Sequence, residues 1–230
     1  MTILEMDRFE RDGFLMEPSL LTCCETTALI EFIEQHAQIG PRRGGVRDIA
    51  DAVPSLHATA SHPAVRNVVN QILGPAAFLV RSTLFDKTEA SNWKVPWHQD
   101  VTIAVKERRE AEGFGPWSTK AGIVHVQPPS AMLARMVTVR IHLDSCLATN
   151  GALRIMPGTH HLGRLNQNRV DEHVDESRAI TCAAQPGGAL IMCPLLLHAS
   201  SPSLLPGHRR VLHFDFADTE LPHGLAWRLR

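Results

Sequence analysis

Apolar residues recur at helical spacing over the first third of the chain and in short β-prone runs thereafter, with the change near residue 76. Thr22-Cys23-Cys24-Glu25 has the form of a capping box, in which threonine and glutamate each satisfy the other's backbone N–H. Ala28, Leu29, Phe32, Ile33 and His36 follow at helical spacing, and Gly40-Pro41 stops the helix. A second helix is predicted from Ser61, which can cap it, along the stripe Val65, Val68, Val69, Ile72 and Leu73 to Gly74-Pro75. Both helices have a single apolar face, so both should pack against a sheet. Between them, Pro41-Arg42-Arg43-Gly44-Gly45 reads as a solvated loop and residues 48–52 as a helical turn.

Beyond residue 76, runs at 78–86, 122–127, 137–143, 152–156, 189–193 and 209–216 are separated by Gly and Pro. Helices first and strands later predict an α+β domain, mainly β, whose strands form a sandwich or barrel. Alternation along 137–143 divides Val137, Val139, Ile141 and Leu143, expected between sheets, from Thr138, Arg140 and His142, expected to face the mouth of a barrel. Asn150-Gly151 and Pro157-Gly158 are turn chemistry. A long insert around 106–129 predicts a lid over the substrate, with Trp117, His125 and Gln127 as its substrate contacts. At 230 residues, without repeats or low-complexity tracts, residues 1–230 read as one domain.

Charge and composition narrow the function. The net charge is −1 and no basic stripe forms, which argues against nucleic acid and for a small-molecule substrate. Residues 1–12 carry six charges and no apolar core, and no long uncharged apolar run occurs, so neither a signal peptide nor a membrane span is predicted. A cytoplasmic location is expected, with a homodimer left open as the assembly. The five cysteines are odd in number and lack C-x-x-C spacing, which predicts reduced thiols. Tyrosine is absent, which removes phenolate ligands and tyrosyl radicals.

The candidate chemistry lies in Trp97-His98-Gln99-Asp100 and in His198, which follows Leu195-Leu196-Leu197. His98 and Asp100 stand two apart, so in an extended segment both side chains leave the same side and can converge on one ion. Gln99 points the other way and is grouped with the substrate contacts. Two imidazoles and one carboxylate can occupy one face of Fe(II) and leave the other open to a chelating cosubstrate and O₂.

The order of these residues with Asn150-Gly151-Ala152-Leu153, Pro157-Gly158-Thr159-His160, Pro186-Gly187-Gly188 and Arg209 resembles the phytanoyl-CoA dioxygenase family of Fe(II)/2-oxoglutarate oxygenases, from about Phe9 to Phe216. The resemblance implies a double-stranded β-helix, a jelly-roll barrel with N-terminal helices on one sheet. It implies His98, Asp100 and His198 as iron ligands and Arg209 as the partner of the distal carboxylate of 2-oxoglutarate. Strand alternation sets Arg209 with Val211, His213 and Asp215, leaving Arg210 with its stem on apolar surface and its head in water. Ser200, Thr138, Arg140 and Arg81 are further cosubstrate candidates; Arg140 stands where the family often has an aromatic and suggests a second cation or an acidic substrate. The implied activity is hydroxylation of a small-molecule C–H bond, with succinate and CO₂ as co-products. The alternatives are a non-catalytic cupin-like metal-binding protein, a halogenase, disfavoured because Asp100 occupies the position chloride would need, or a metal-dependent isomerase.

Overall fold

The computed structural model describes residues 2–36, 45–53, 56–205 and 207–230. The expected stop at Gly40-Pro41 and most of the loop through Gly44 lie outside the described residues. The helices are α1 (Ile3–Asp12), α2 (Cys23–His36), α3 (Ile49–Ala52), α4 (Leu56–Ala60), α5 (Pro63–Leu73), α6 (Ser130–Leu133) and α7 (Gln167–His173). The strands are β1 (Phe14–Glu17), β2 (Val46–Arg47), β3 (Phe78–Lys87), β4 (Val95–His98), β5 (Ile103–Val105), β6 (Trp117–Lys120) and β7 (Ile123–Val126). They continue with β8 (Met136–His142), β9 (Leu153–Ile155), β10 (Ile180–Cys182), β11 (Ala189–Met192), β12 (His198–Ser200) and β13 (Arg209–Ala217).

The predicted capping box starts α2: Thr22 N–H donates to Glu25 at 2.8 Å, and Glu25 N–H donates to Thr22 Oγ1 at 3.2 Å. The cap of α5 is His62 and not Ser61. Pro63 explains the shift, since it needs no N–H partner at the first helical position and the His62 ring is free to accept from Ala64 N–H at 3.3 Å. Helix α1 went unpredicted; Thr2 and Glu5 form its own capping box, and Gly13 ends it at φ 81°.

Three antiparallel sheets form a jelly roll that does not close into a continuous barrel. The large sheet runs β1-β11-β8-β13-β3-β2, the second β10-β9-β12-β4, and the third β5-β7-β6. Leu190 and Met192 of β11 meet Leu153, Ile155 and Cys182 across the gap between the first two sheets. Val137, Val139, Ile141 and Leu143 do not lie in that gap, contrary to expectation. They share a core with Ile33, Leu56, Val65 and Val69, so the helices cover their face of the sheet. The gap receives the opposite, polar face.

The insert is an ordered sheet and not a loop-like lid. Ile103, Val105 and Val126 pack with Val80, Leu133, Leu225 and the fully buried Trp227. The C-terminal segment is stitched to β5, with Lys106 N–H bonded to Ala226 O at 3.0 Å and Arg228 N–H to Ala104 O at 3.1 Å. Trp117 packs against this second core. All five cysteines are free thiols. Among the described residues no helix is long and apolar enough to cross a membrane.

Arg210 departs from expectation, because its head is not in water. It is buried, donates from Nε and Nη2 to Asp144 at 2.8 Å each, and bonds Glu34 of α2 through Nη1 at 2.5 Å. It thereby ties β13 to the helical layer. Arg210→Ala should lower stability by about 2 kcal/mol, below the cost for a fully buried pair because Glu34 is largely exposed. Urea unfolding checks this; an unchanged midpoint would show the tie to be dispensable.

Candidate active site

Strand pairing brings the two histidines together. In the β12–β4 ladder His198 stands directly opposite His98, and their ring centroids lie 4.2 Å apart. Three successive leucines fix the approach to His198, since Leu195, Leu196 and Leu197 enter three different apolar clusters. Asp100 follows β4, its N–H held by Pro194 O at 2.9 Å. Its carboxylate lies 3.6 Å from His198 Nε2 and 4.0 Å from His98 Nε2. One donor atom from each of the three residues falls within 4.8 Å of the others.

Both rings are oriented in the same way. His98 Nδ1 meets Pro96 O at 2.9 Å and His198 Nδ1 meets Leu196 O at 2.8 Å. A carbonyl accepts only from N–H, so each Nδ1 carries a hydrogen and each Nε2 faces the centre. Burial, then the neighbouring His98, pushes His198 down to about 3 and keeps it neutral. Burial works against ionisation of Asp100, but His198, Arg81, His213 and His98 together hold it well below the usual carboxylate range. Two imidazoles and a carboxylate form a donor set suited to Fe(II), and among the described residues no thiolate joins it.

A cavity of about 230 Å³ opens beside the triad. Its wall includes Arg47, Lys87, Arg140, Arg209, Ser200 and His213, with Phe85, Trp93, Val95 and Leu153 as apolar surface. The register of the large sheet explains this polarity. Arg209 pairs with Lys87, His213 with Thr83 and Arg140, and Asp215 with Arg81 and Thr138, so one face collects all these groups.

Arg209 is buried, and its only side-chain hydrogen bond among the described residues is Nη1 to Cys146 Sγ at 3.6 Å; Nε has no partner. A buried guanidinium without a carboxylate partner fits an anionic ligand. Ser200 Oγ donates to Gly151 O at 2.9 Å and accepts from Lys87 Nζ at 2.7 Å. Lys87 also donates to Ser201 O at 2.6 Å, and burial followed by the charge of Arg209 pushes it down to about 7. Lys87 was missed in the sequence, although the alternation Arg81, Thr83, Phe85 reaches it at the next step. Arg47 and Trp93 were also missed, and nothing near them in the chain marks them as cavity residues; His213 lines the cavity on the face that alternation shares with Arg209.

Arg140 faces the cavity, donates from Nη1 to His213 Nδ1 at 2.8 Å, and lies 5.4 Å from the Phe85 ring centroid. It pairs with neither Asp100 nor Asp144. Arg81 and Thr138, both expected at the cosubstrate, serve Asp215 instead. Arg81 pairs with its carboxylate and donates to Thr102 O at 3.1 Å, while Thr138 Oγ1 donates to Asp215 at 2.6 Å. Neither lines the cavity. Carboxylates elsewhere on the sheet could not be matched to these donors before the register was known.

Gln99 is a structural clamp and not a substrate contact. Its amide donates to Leu195 O at 2.7 Å and Gly163 O at 2.8 Å, and its carbonyl accepts from Leu165 N–H at 2.8 Å. Trp117, His125 and Gln127 also lie off the cavity wall. His125 is buried, bonds Ile123 O through Nδ1 at 3.0 Å, and is pushed down to about 4 by that burial. Trp117 and His125 belong to the third sheet and Gln127 follows its strand β7.

No curated protein matches the chain in sequence. The sequence model of the family described as phytanoyl-CoA dioxygenase (PhyH) matches residues 9–211. Among solved structures, EctD from S. alaskensis in its apoform is similar at 16% identity and a TM-score of 0.72, covering 94% of this chain and 76% of that one. HygX from Streptomyces hygroscopicus with nickel and 2-oxoglutarate bound is similar at 17% identity and a TM-score of 0.68, covering 95% and 88%. SnoN, a non-heme alpha ketoglutarate dependent epimerase from nogalamycin biosynthesis, is similar at 16% and 0.67, covering 93% and 79%. At such identities these likenesses establish the fold.

Asp215 provides a test of the network behind the cavity. Burial opposes its ionisation, but Arg81 and His213 outweigh that and pull it down to about 2. Asp215→Asn should cost about 3–5 kcal/mol at pH 7, because the Arg81 charge loses its partner. The carboxylate's contribution is complete above its unfolded value near 4 and is lost as pH falls from there through about 2. The gap between wild type and variant in urea melts should close over that window; a pH-independent gap would contradict the assignment.

Proposed function

The chain belongs to the phytanoyl-CoA dioxygenase family, and from that premise we propose that it is an Fe(II)- and 2-oxoglutarate-dependent oxygenase. The proposed reaction hydroxylates a C–H bond of a small molecule; one oxygen atom of O₂ enters the alcohol and the other enters succinate, with release of CO₂. The observation that carries the reading is the His98–Asp100–His198 cluster beside Arg209, whose buried guanidinium has no carboxylate partner among the described residues.

Iron would be held by His98 Nε2, His198 Nε2 and Asp100, and when bound it supplies the activation of O₂ that no side chain here can provide. The residues around it have separate tasks. Pro96 O and Leu196 O hold the imidazoles in the tautomer that offers Nε2. Asp100 stays ionised and contributes the one negative ligand from the protein. Arg209 receives the distal carboxylate of 2-oxoglutarate, with Ser200 beside it and Lys87 fixing the serine hydroxyl. Phe85, Trp93, Val95 and Leu153 exclude water from the reacting face.

The likeness to an epimerase supplies a second reading, in which hydrogen is removed and returned to the same carbon without net oxygenation. Mass spectrometry of the product formed under ¹⁸O₂ in chloride buffer separates the outcomes. A labelled alcohol supports hydroxylation, an isomer of unchanged mass supports epimerisation, and a chlorinated product contradicts both. Failure to form succinate from 2-oxoglutarate with any substrate would favour a non-catalytic metal-binding role.

Alanine at His98, Asp100 or His198 should abolish stoichiometric Fe(II) uptake under anaerobic conditions, since two protein ligands compete poorly with water and buffer. Full iron occupancy in His198→Ala would remove the metal assignment. Arg209→Ala should raise the 2-oxoglutarate dissociation constant roughly thirtyfold or more, while Arg210→Ala leaves it nearly unchanged. The reverse order would place the cosubstrate on the other face of β13.

A further inference from the structure

The cavity holds more positive charge than the reading above uses. Its wall presents Arg47, Lys87, Arg140 and Arg209 against a single carboxylate, Asp100. In the proposed enzyme, Asp100 and the chelating carboxylate of the cosubstrate answer the two charges of iron, and the distal carboxylate answers Arg209. Lys87 is already engaged by Ser200 and Ser201, and burial pushes it down to about 7, so it can shed its charge. Arg47 and Arg140 cannot, since a guanidinium keeps its proton.

Neither arginine has an ion-pair partner among the described residues, and Asp100 and Asp215 act on Arg140 only without contact. Arg140 rests on an uncharged acceptor, His213 Nδ1, and on the face of Phe85, and its Nε has no partner. Arg47 forms no ion pair among the described residues. Its own strand pairs with β3, where Val46 meets Leu84 and Arg47 meets Thr83, so it stands at the edge of the polar face. The charged groups acting on it are Arg81, which repels it, and Asp48, which is itself bonded to Arg228 at 3.0 Å. Lys120 adds to the same sign: its Nζ reaches Thr102 Oγ1 at 3.5 Å, and burial, then Arg47 and Arg81, lower its proton affinity. The cavity therefore keeps a cationic pole when Arg209 is satisfied.

We infer that the substrate is a small organic acid, its charge held by Arg47 with Arg140 behind it and its apolar body lying against Phe85 and Trp93. This rests on the reading in which Arg209 takes the cosubstrate. The aromatic walls and the half-buried guanidinium would select an acid over its uncharged isostere, because only the acid relieves the cationic pole. Arg47 is then a specificity-determining residue with no part in holding iron or 2-oxoglutarate.

The test is calorimetric titration of Mn(II)-loaded, 2-oxoglutarate-saturated protein with phenylacetate and with phenylacetamide as probes. Phenylacetate should bind tighter by about tenfold or more, the preference should vanish in Arg47→Gln, and the affinity of that variant for 2-oxoglutarate should stay within about twofold of wild type. Equal binding of the two probes, binding of neither, or preference for the amide overturns the inference. So does an Arg47→Gln protein that keeps the preference, or one that loses 2-oxoglutarate by the same factor as phenylacetate. Titration of 2-oxoglutarate into the wild type is read separately: its failure to bind would sink the cosubstrate assignment, whereas normal 2-oxoglutarate binding with no acid preference would sink this inference alone.

Discussion

Strands β3, β8 and β13 are buried on both faces, so alternation must sort their side chains into one apolar and one polar set, and the active site depends on that sorting. Leu84, Val139, Leu212 and Phe214 turn outward to the helices, while Arg81, Lys87, Arg140, Arg209 and His213 turn inward. A slip of one residue in β13 would send Arg209 into the helical core and Phe214 into the cavity. Arg210 guards the register from the other side, since its ion pairs with Asp144 and Glu34 exist only in the observed alignment.

A polar inner face would be costly if its charges lacked partners. Asp215 carries most of that load, meeting Arg81, Thr138 and His213 at once, and His213 passes its other nitrogen to Arg140. The opposing sheet contributes the triad through the His98–His198 pairing, and main-chain carbonyls aim both rings. The remaining uncompensated cations lie on the cavity wall, where a ligand can reach them. The excess positive charge is thus directed at the place where anionic molecules would be bound.

Much of this was legible in the chain because it depends on local period. The two-residue spacing of His98 and Asp100, the capping box at Thr22 and the parity of Arg209 against Arg210 all follow from backbone geometry. What escaped depends on contacts between distant segments. Gln99 is a clamp because Gly163, Leu165 and Leu195 surround it, and Arg81 is committed because Asp215 lies opposite. Within the insert only the run at 122–127 reads as strand, and the insert reads as a lid, but Trp227, far away in the chain, completes a core beneath it. Arg47 enters from a two-residue strand that no periodicity could reveal.

The central claim is that iron and 2-oxoglutarate share the cavity between the triad and Arg209. It is tested most directly by anomalous diffraction at the iron absorption edge, from crystals grown anaerobically with Fe(II) and 2-oxoglutarate. The account predicts one anomalous peak bound by His98 Nε2, Asp100 and His198 Nε2, with the distal carboxylate of the chelated cosubstrate on Arg209. A peak away from these three residues, or a cosubstrate whose distal carboxylate rests on another cation, would contradict it.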